Sequence, residues 1–287
     1  VIPTLLTDYT FRTILLGSTI LGLFCAILGS FAVLRKQSLV GDALAHAALP
    51  GIATAYLLTG SKSTPVLLVG AAISCGIAMA FVHWTTSQTQ SDSNTTLGIA
   101  LTSFFGLGIL LLGIVQNRPD AGQAGLEKFL FGQAAALTQE TVLIIAILGL
   151  LATGVLFTIQ QPYKLLAFDP SFAQANKAPI ALVESLQTGL LVIGIVIGLN
   201  TVGVVLLSAL LVAPTIAARP WAKSTQQLLL LASIFGLLAS ALGSGIAVNT
   251  KSLPTGPTVV VTLVLLTTIS HITSQLIRQQ RRKTVQP

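Results

Sequence analysis

The chain has 287 residues, 53% hydrophobic and only 8% charged, and a mean hydropathy of +0.87. Soluble domains carry about 25% charged residues, so a water-soluble fold is excluded; apolar runs of about 20 residues instead mark an all-α, polytopic membrane protein, without the dyad alternation of a β-barrel. The net charge of +7 is too scattered for a nucleic-acid-binding face and reads as topology signals and contacts to the lipid membrane.

The opening "VIPTLLTDYTFRT" lacks a basic n-region and leads directly into a full-length span, unlike a cleaved signal peptide. Apolar runs then predict spans near residues 12–34, 38–58, 65–84, 95–116, 139–159, 179–199, 202–218, 226–248 and 257–276. Only "GLNTVG" separates the sixth and seventh, which form two spans or one span plus a re-entrant piece, giving eight or nine in all. With nine spans and an outer N-terminus, the inner side holds Arg35, Lys36, Lys164, Lys177, Arg219, Lys223, Arg278, Arg281, Arg282 and Lys283. The outer side holds only Arg12, Lys62, Arg118, Lys128 and Lys251. The positive-inside rule therefore puts the basic tail, 278–287, in the cytoplasm. Cys25 and Cys75 fall inside apolar runs and read as packing residues. One transmembrane domain is expected over 1–287.

Three connections are long enough to have a role. Residues 85–94, "TTSQTQSDSN", read as a solvated inner loop. Residues 117–138 read as an outer loop followed by a short amphipathic surface helix. Residues 160–178, "QQPYKLLAFDPSFAQANKA", form the longest inner loop, with Tyr163, Phe168 and Phe172 expected to be exposed. Such aromatics fit a docking surface for a soluble partner; an interfacial helix on the headgroups is the alternative.

Ionisable residues inside spans cost roughly 2.5–3.5 kcal/mol on insertion scales and are functional candidates by default. In "LRKQSLVGDALAHAALPG", Asp42 and His46 stand at i and i+4, which puts them on one helical face within reach of one ion. Carboxylate plus imidazole suits manganese, iron or zinc better than calcium or magnesium, and the lack of thiolate suits a site that binds and releases. The rival reading makes Asp42 a helix cap and leaves His46 as a bundle hydrogen bond. His83, His271, Glu184, Asn200, Thr201 and Ser208 are weaker candidates with interfacial or packing explanations. The chain carries no G-x-x-x-x-G-K-[ST], H-E-x-x-H or G-x-S-x-G motif, so it binds no ATP in the usual cradle and energy has to come from a partner or a gradient.

"VLRKQSLVGDALAHAALPGIA" resembles the signature of the bacterial metal-ion ABC permeases, the ABC-3 family of manganese, zinc and iron importers. "EKFLFGQAAALT", "YKLLAFDPSFAQA" and "NTVGVVLLSALLVAPTIAARP" followed by "LPTGPTVVV" occur in that family's order, so the resemblance covers nearly the whole chain. It implies a non-enzymatic permease of the metal-chelate, type II-like architecture in the bacterial plasma membrane. Implied partners are a cytoplasmic ATP-binding subunit, an extracytoplasmic metal-binding protein and a second permease chain, identical or related. The family's cation ligands carry over onto Asp42 and His46. Its coupling helix, which contacts the ATPase, matches "AFDPSFA", with Leu166, Phe168, Asp169, Pro170 and Phe172 as expected contact residues. The chain itself is expected to hold no cofactor, the divalent metal being its substrate. The inner loop at 85–94 is less charged than that family's pattern, and "AARPWAKS" sets a proline and tryptophan where a smoother basic helix is common. Two other readings remain: a permease for chelated cargo such as a siderophore or cobalamin, and an ATP-independent metal transporter.

Overall fold

In a computed structural model of the chain, the described residues are 9–89, 91–117, 137–177, 179–250 and 253–285. They form helices with no strand among them, in the order α1 (Tyr9–Leu34), α2 (Val40–Thr59), α3 (Thr64–Thr89), α4 (Ser93–Gln116) and α5 (Gln139–Phe168). There follow α6 (Pro170–Ala175), α7 (Ile180–Val202), α8 (Val204–Ala218), α9 (Thr225–Thr250) and α10 (Thr255–Val285). Seven of them (α1, α3, α4, α5, α7, α9 and α10) contain a stretch long and apolar enough to cross a membrane. Lipid offers no backbone partner, so only a segment that closes its own hydrogen bonds can cross, which is why the apolar runs become helices. Hydroxyl side chains obey the same constraint by bonding back one turn: Thr13 Oγ1 donates to the Tyr9 carbonyl, Ser30 Oγ to Ala26 and Thr267 Oγ1 to Leu263. Along α3, Val69, Ile73 and Ile77 recur every four residues and are about 60% exposed, an apolar stripe suited to hydrocarbon. The molecule is a multi-pass membrane protein.

Two helices depart from the simple spanning type. At 20 residues α2 is long enough, yet it is not among the seven, because Asp42 and His46 make it too polar. It is instead enclosed, with 13 of its 20 residues buried. The 15 residues of α8 reach only about 22 Å at 1.5 Å per residue. It follows α7 after one intervening residue, Gly203, whose φ of +81° lies where a Cβ is disfavoured. With α2 and α8, nine apolar helical segments lie among the described residues, at the positions read from sequence, seven of them long and apolar enough to cross a membrane.

The chain clusters into two compact units. One gathers the described parts of residues 1–30, 134–146 and 209–287. In it α9 packs along α10, the Ser30 and Thr215 hydroxyls meet at 2.8 Å, and Trp221 Nε1 donates to Ser270 Oγ. The other gathers the described parts of residues 31–133 and 147–208, with α2 packed against α3, α4 and α7. There α2 and α3 cross on glycine: a Cβ on Gly51 would lie 2.1 Å from the Gly70 carbonyl oxygen. Such contact lets two backbones touch without side chains between them. Cys25 and Cys75 are free and buried, in keeping with their reading as packing residues.

Several connections differ from expectation. The polar stretch after residue 84 stays helical through Thr89, and Asp92 caps α4 by accepting from the Asn94 N–H. Hydroxyl residues there satisfy themselves on the preceding turn, as Thr89 Oγ1 does on Thr85, so polarity did not end the helix. Most of the expected 160–178 loop is likewise helix, because α5 runs on to Phe168. At 30 residues α5 is about 45 Å long, beyond the ~30 Å of hydrocarbon, so one end extends past the apolar layer. Tyr163, expected to be exposed, is fully buried, its ring edge-on to Phe31 and its hydroxyl donating to the Phe31 carbonyl. A phenol is favoured inside when its tip finds such an acceptor. The expected outer surface helix within 117–138 lies outside the described residues.

Candidate functional site

The site helix begins after the turn that follows α1. Lys36 adopts φ +59° and ends α1, and its N–H donates to the Val33 carbonyl. Leu39 is the N-cap of α2 and makes no side-chain cap bond. Asp42 is therefore not the cap that one reading supposed. It sits in the first turn, where the free N–H groups favour a negative charge without consuming the carboxylate.

Asp42 Oδ1 and His46 Nε2 stand 3.5 Å apart, with side chains 41% and 23% exposed respectively. The i, i+4 spacing brings them together as expected. The imidazole meets Phe105 of α4 edge-on, with ring centroids 4.7 Å apart, which fixes its plane. His46 Nδ1 is buried and has no hydrogen-bond partner among the described residues. The nitrogen that faces the Asp42 carboxylate is the other one, Nε2, and Nδ1 is one of the few buried polar atoms without a partner among the described residues. An imidazole lone pair and a carboxylate charge this close are chemically able to share a divalent cation.

The surroundings are built for close backbone packing. Ala43, Ala45, Ala47 and Ala48 are at most 3% exposed, so the first half of α2 packs against its neighbours with little side chain between. Cys75 Sγ of α3 donates to the Leu44 carbonyl between the two site residues. Pro50 has no N–H, so the His46 carbonyl loses its helical donor one turn on. Gly108 of α4 fits this proline: a Cβ there would lie 3.1 Å from its Cδ. No group of three or more His, Cys, Asp or Glu poised around one point occurs among the described residues, so Asp42 and His46 stand as a pair.

The other sequence candidates scatter. His83 lines a crevice of about 420 Å³ with Met79, Ser185 and Thr188. His271 Nδ1 lies 3.3 Å from the Thr267 carbonyl one turn back on its own helix, α10, rather than on a neighbouring helix of the bundle. Glu184 is drawn into an ion pair with Arg35 at 2.6 Å, a partnership across 149 positions that no local pattern discloses. Ser208 is half-buried, and the side chains of Asn200 and Thr201 are not described.

The second expected site lies where α5 ends. Asp169 caps α6, its Oδ1 accepting from the Phe172 N–H at 2.9 Å, and Pro170 occupies the first turn, where a missing N–H costs nothing. Phe168 is 69% exposed and Phe172 53%, whereas Leu166 and Ala173 are buried. The two phenylalanines thus present an apolar face, whereas the Leu166 side chain is buried.

The model of the ABC 3 transport family matches residues 7–274. The chain is 42% identical over 266 residues to the zinc transport system membrane protein TroC of Treponema pallidum (strain Nichols), covering 93% of this chain and 89% of that protein. It is 37% identical over 259 residues to the manganese transport system membrane protein MntC of Bacillus subtilis (strain 168), covering 90% of this chain and 60% of that longer protein. Among solved structures, PsaBC from Streptococcus pneumoniae in complex with Fab matches with a TM-score of 0.79 at 27% identity. That match covers 94% of this chain and 93% of the other.

Proposed function

The chain belongs to the ABC 3 transport family, and from that premise we propose that it is the membrane-spanning permease subunit of an ATP-driven importer for a divalent transition-metal ion: manganese, zinc or iron. The observation that carries the reading is the Asp42–His46 pair on an otherwise enclosed helix, with one imidazole nitrogen buried and unclaimed.

In this reading an extracytoplasmic binding protein delivers the metal to the outer face of the plasma membrane. The cation pauses at Asp42 and His46 on its way inward, and a second permease chain, identical or related, supplies further ligands. Cytoplasmic ATP-binding subunits dock on Phe168 and Phe172 around α6 and hydrolyse ATP; the permease itself performs no catalysis. Two ligands from one chain suit cargo in transit, since a closed four-ligand cage would hold the ion rather than pass it on.

The test is competitive uptake of Mn²⁺, Zn²⁺ and Fe²⁺ by the permease reconstituted with its ATPase and binding protein. One of the three is expected to enter in an ATP-dependent way and to be lost in Asp42→Ala and His46→Ala. Uptake that survives both substitutions refutes the site. A carrier of chelated cargo would leave the purified chain without affinity for the bare ion, and a transporter independent of ATP would co-purify with no ATPase.

A further inference from the structure

We infer that Arg35, Tyr163 and Glu184 form the mechanical joint through which the ATPase-facing segment moves the cation site, an assignment that rests on the permease reading above. The three are distant in sequence and belong to α5, α7 and the turn between α1 and α2.

The joint starts at the ATPase side. Pro162 lies inside α5, so the Thr158 carbonyl loses its helical donor and the helix has a weak point immediately before Tyr163. Below it, the last turns of α5 lead through the single residue Asp169 into the capped α6, with Tyr163, Leu166 and Ala173 buried and Phe168 and Phe172 outward. A push on the phenylalanines therefore acts on a lever whose first internal anchor is the Tyr163 hydroxyl on the Phe31 carbonyl.

The anchor leads to the site. Phe31 belongs to the last turn of α1, and the next residues are gripped by other helices. The Arg35 guanidinium donates to Glu184 of α7 at 2.6 Å, with side chains only 19% and 26% exposed. The Lys36 carbonyl accepts from Asn94 Nδ2 at 2.7 Å, and Gln37 Nε2 donates to Ser93 Oγ at 3.3 Å, both on α4. The Phe31 carbonyl that takes the Tyr163 hydroxyl also accepts the Arg35 N–H at 3.4 Å, so the two residues share one acceptor and Glu184 joins them through its ion pair with Arg35. The turn thus joins α4, α5 and α7, and α2 begins three residues past Gln37, with Asp42 in its first turn. Displacement of the lever changes the set of the turn, and the turn sets Asp42 and His46. A partly buried ion pair is a weak source of stability but a well-attested way to hold one register among alternatives.

The test uses the permease assembled with its ATPase in liposomes and supplied with metal-loaded binding protein, carrying Mn²⁺ or Zn²⁺. Three quantities are read: Mn²⁺ or Zn²⁺ affinity of the permease, ATP hydrolysis, and ions moved per ATP. Glu184→Gln and Tyr163→Phe are expected to lower ions moved per ATP at least tenfold, with ATP hydrolysis and metal affinity within about threefold of wild type. The charge-swapped double variant Arg35→Glu/Glu184→Arg is expected to recover half or more of the coupling. Unchanged ions per ATP in both single variants overturns the assignment, as does a parallel fall of uptake and hydrolysis, which marks a mere structural prop. Where Glu184→Gln does not assemble, Tyr163→Phe decides. A wild-type complex that moves neither ion refutes the permease reading itself, a result distinct from any failure of the variants.

Discussion

Replacing Gly70 by alanine tests whether the site helix depends on direct backbone contact. A Cβ on Gly70 would lie 2.5 Å from the Gly51 carbonyl oxygen and 2.6 Å from the Ala55 Cβ, whereas ordinary contact begins near 3.4 Å. The neighbours are main chain and a methyl carbon, so neither rotates away and α2 must retreat by about 0.9 Å. A gap of 0.5–1 Å forfeits about a quarter to a half of each dispersion contact, and overpacking of this kind costs about 1–3 kcal/mol. The helix-propensity gain of alanine over glycine, about 0.8–1 kcal/mol, acts the other way. Gly76→Ala on the same helix removes that complication, because a Cβ there meets nothing within 4 Å and carries only the gain. The two variants should therefore differ by about 1–3 kcal/mol, Gly70→Ala being the weaker. The difference is read from denaturant midpoints of the purified protein in mild detergent, followed by circular dichroism. Gly70→Ala should also lower metal affinity, since Asp42 and His46 ride on the displaced helix. Equal midpoints, or a less stable Gly76→Ala, would refute the close-contact argument.

Other consequences are equally concrete. Asp42→Ala and His46→Ala should abolish metal uptake while leaving membrane-integrated protein at wild-type levels, as quantified by uptake and immunoblot together. Lowering the pH should weaken cation binding in equilibrium dialysis, because proton and metal compete for the same imidazole lone pair. Phe168→Ala and Phe172→Ala should each weaken ATPase association at least tenfold in a pull-down, in line with a loss above 1.4 kcal/mol for a buried aromatic anchor. Asp169→Ala should cost about 1 kcal/mol through loss of the α6 cap, with Asp169→Asn recovering most of it, measured by ATPase binding and by protease nicking near residue 170.

What sequence disclosed and what it withheld divide along physical lines. The spans were legible because twenty apolar residues have one stable form in lipid, and Asp42 with His46 was legible because i, i+4 spacing fixes a common face. The idle nitrogen of His46 was not legible, since it depends on Phe105 and on the shape of the enclosing helices. Tyr163 was misjudged for a similar reason: an aromatic among lysines looks superficial until Phe31, 132 positions away, offers its carbonyl. The polar stretch after residue 84 looked like a loop because its serines and threonines resemble turn residues, yet they serve a helix equally well by bonding to the turn before. The pairing of Arg35 with Glu184 lies in tertiary structure alone.

The enclosure of α2 has a bearing on how the protein is made. Among the described helices of 20 residues or more, it is the one whose own apolarity falls short of a membrane span, with Asp42 and His46 in its first two turns. Its later neighbours, α3, α4 and α7, provide the surfaces that shelter it. Synthesis delivers those neighbours only afterwards, so the shelter of α2 is completed after the helix itself is made. Under the proposed function the segment that meets the ion is also the one most dependent on its neighbours: each polar residue that serves a cation there makes the helix less apolar and leans it further on the company it keeps.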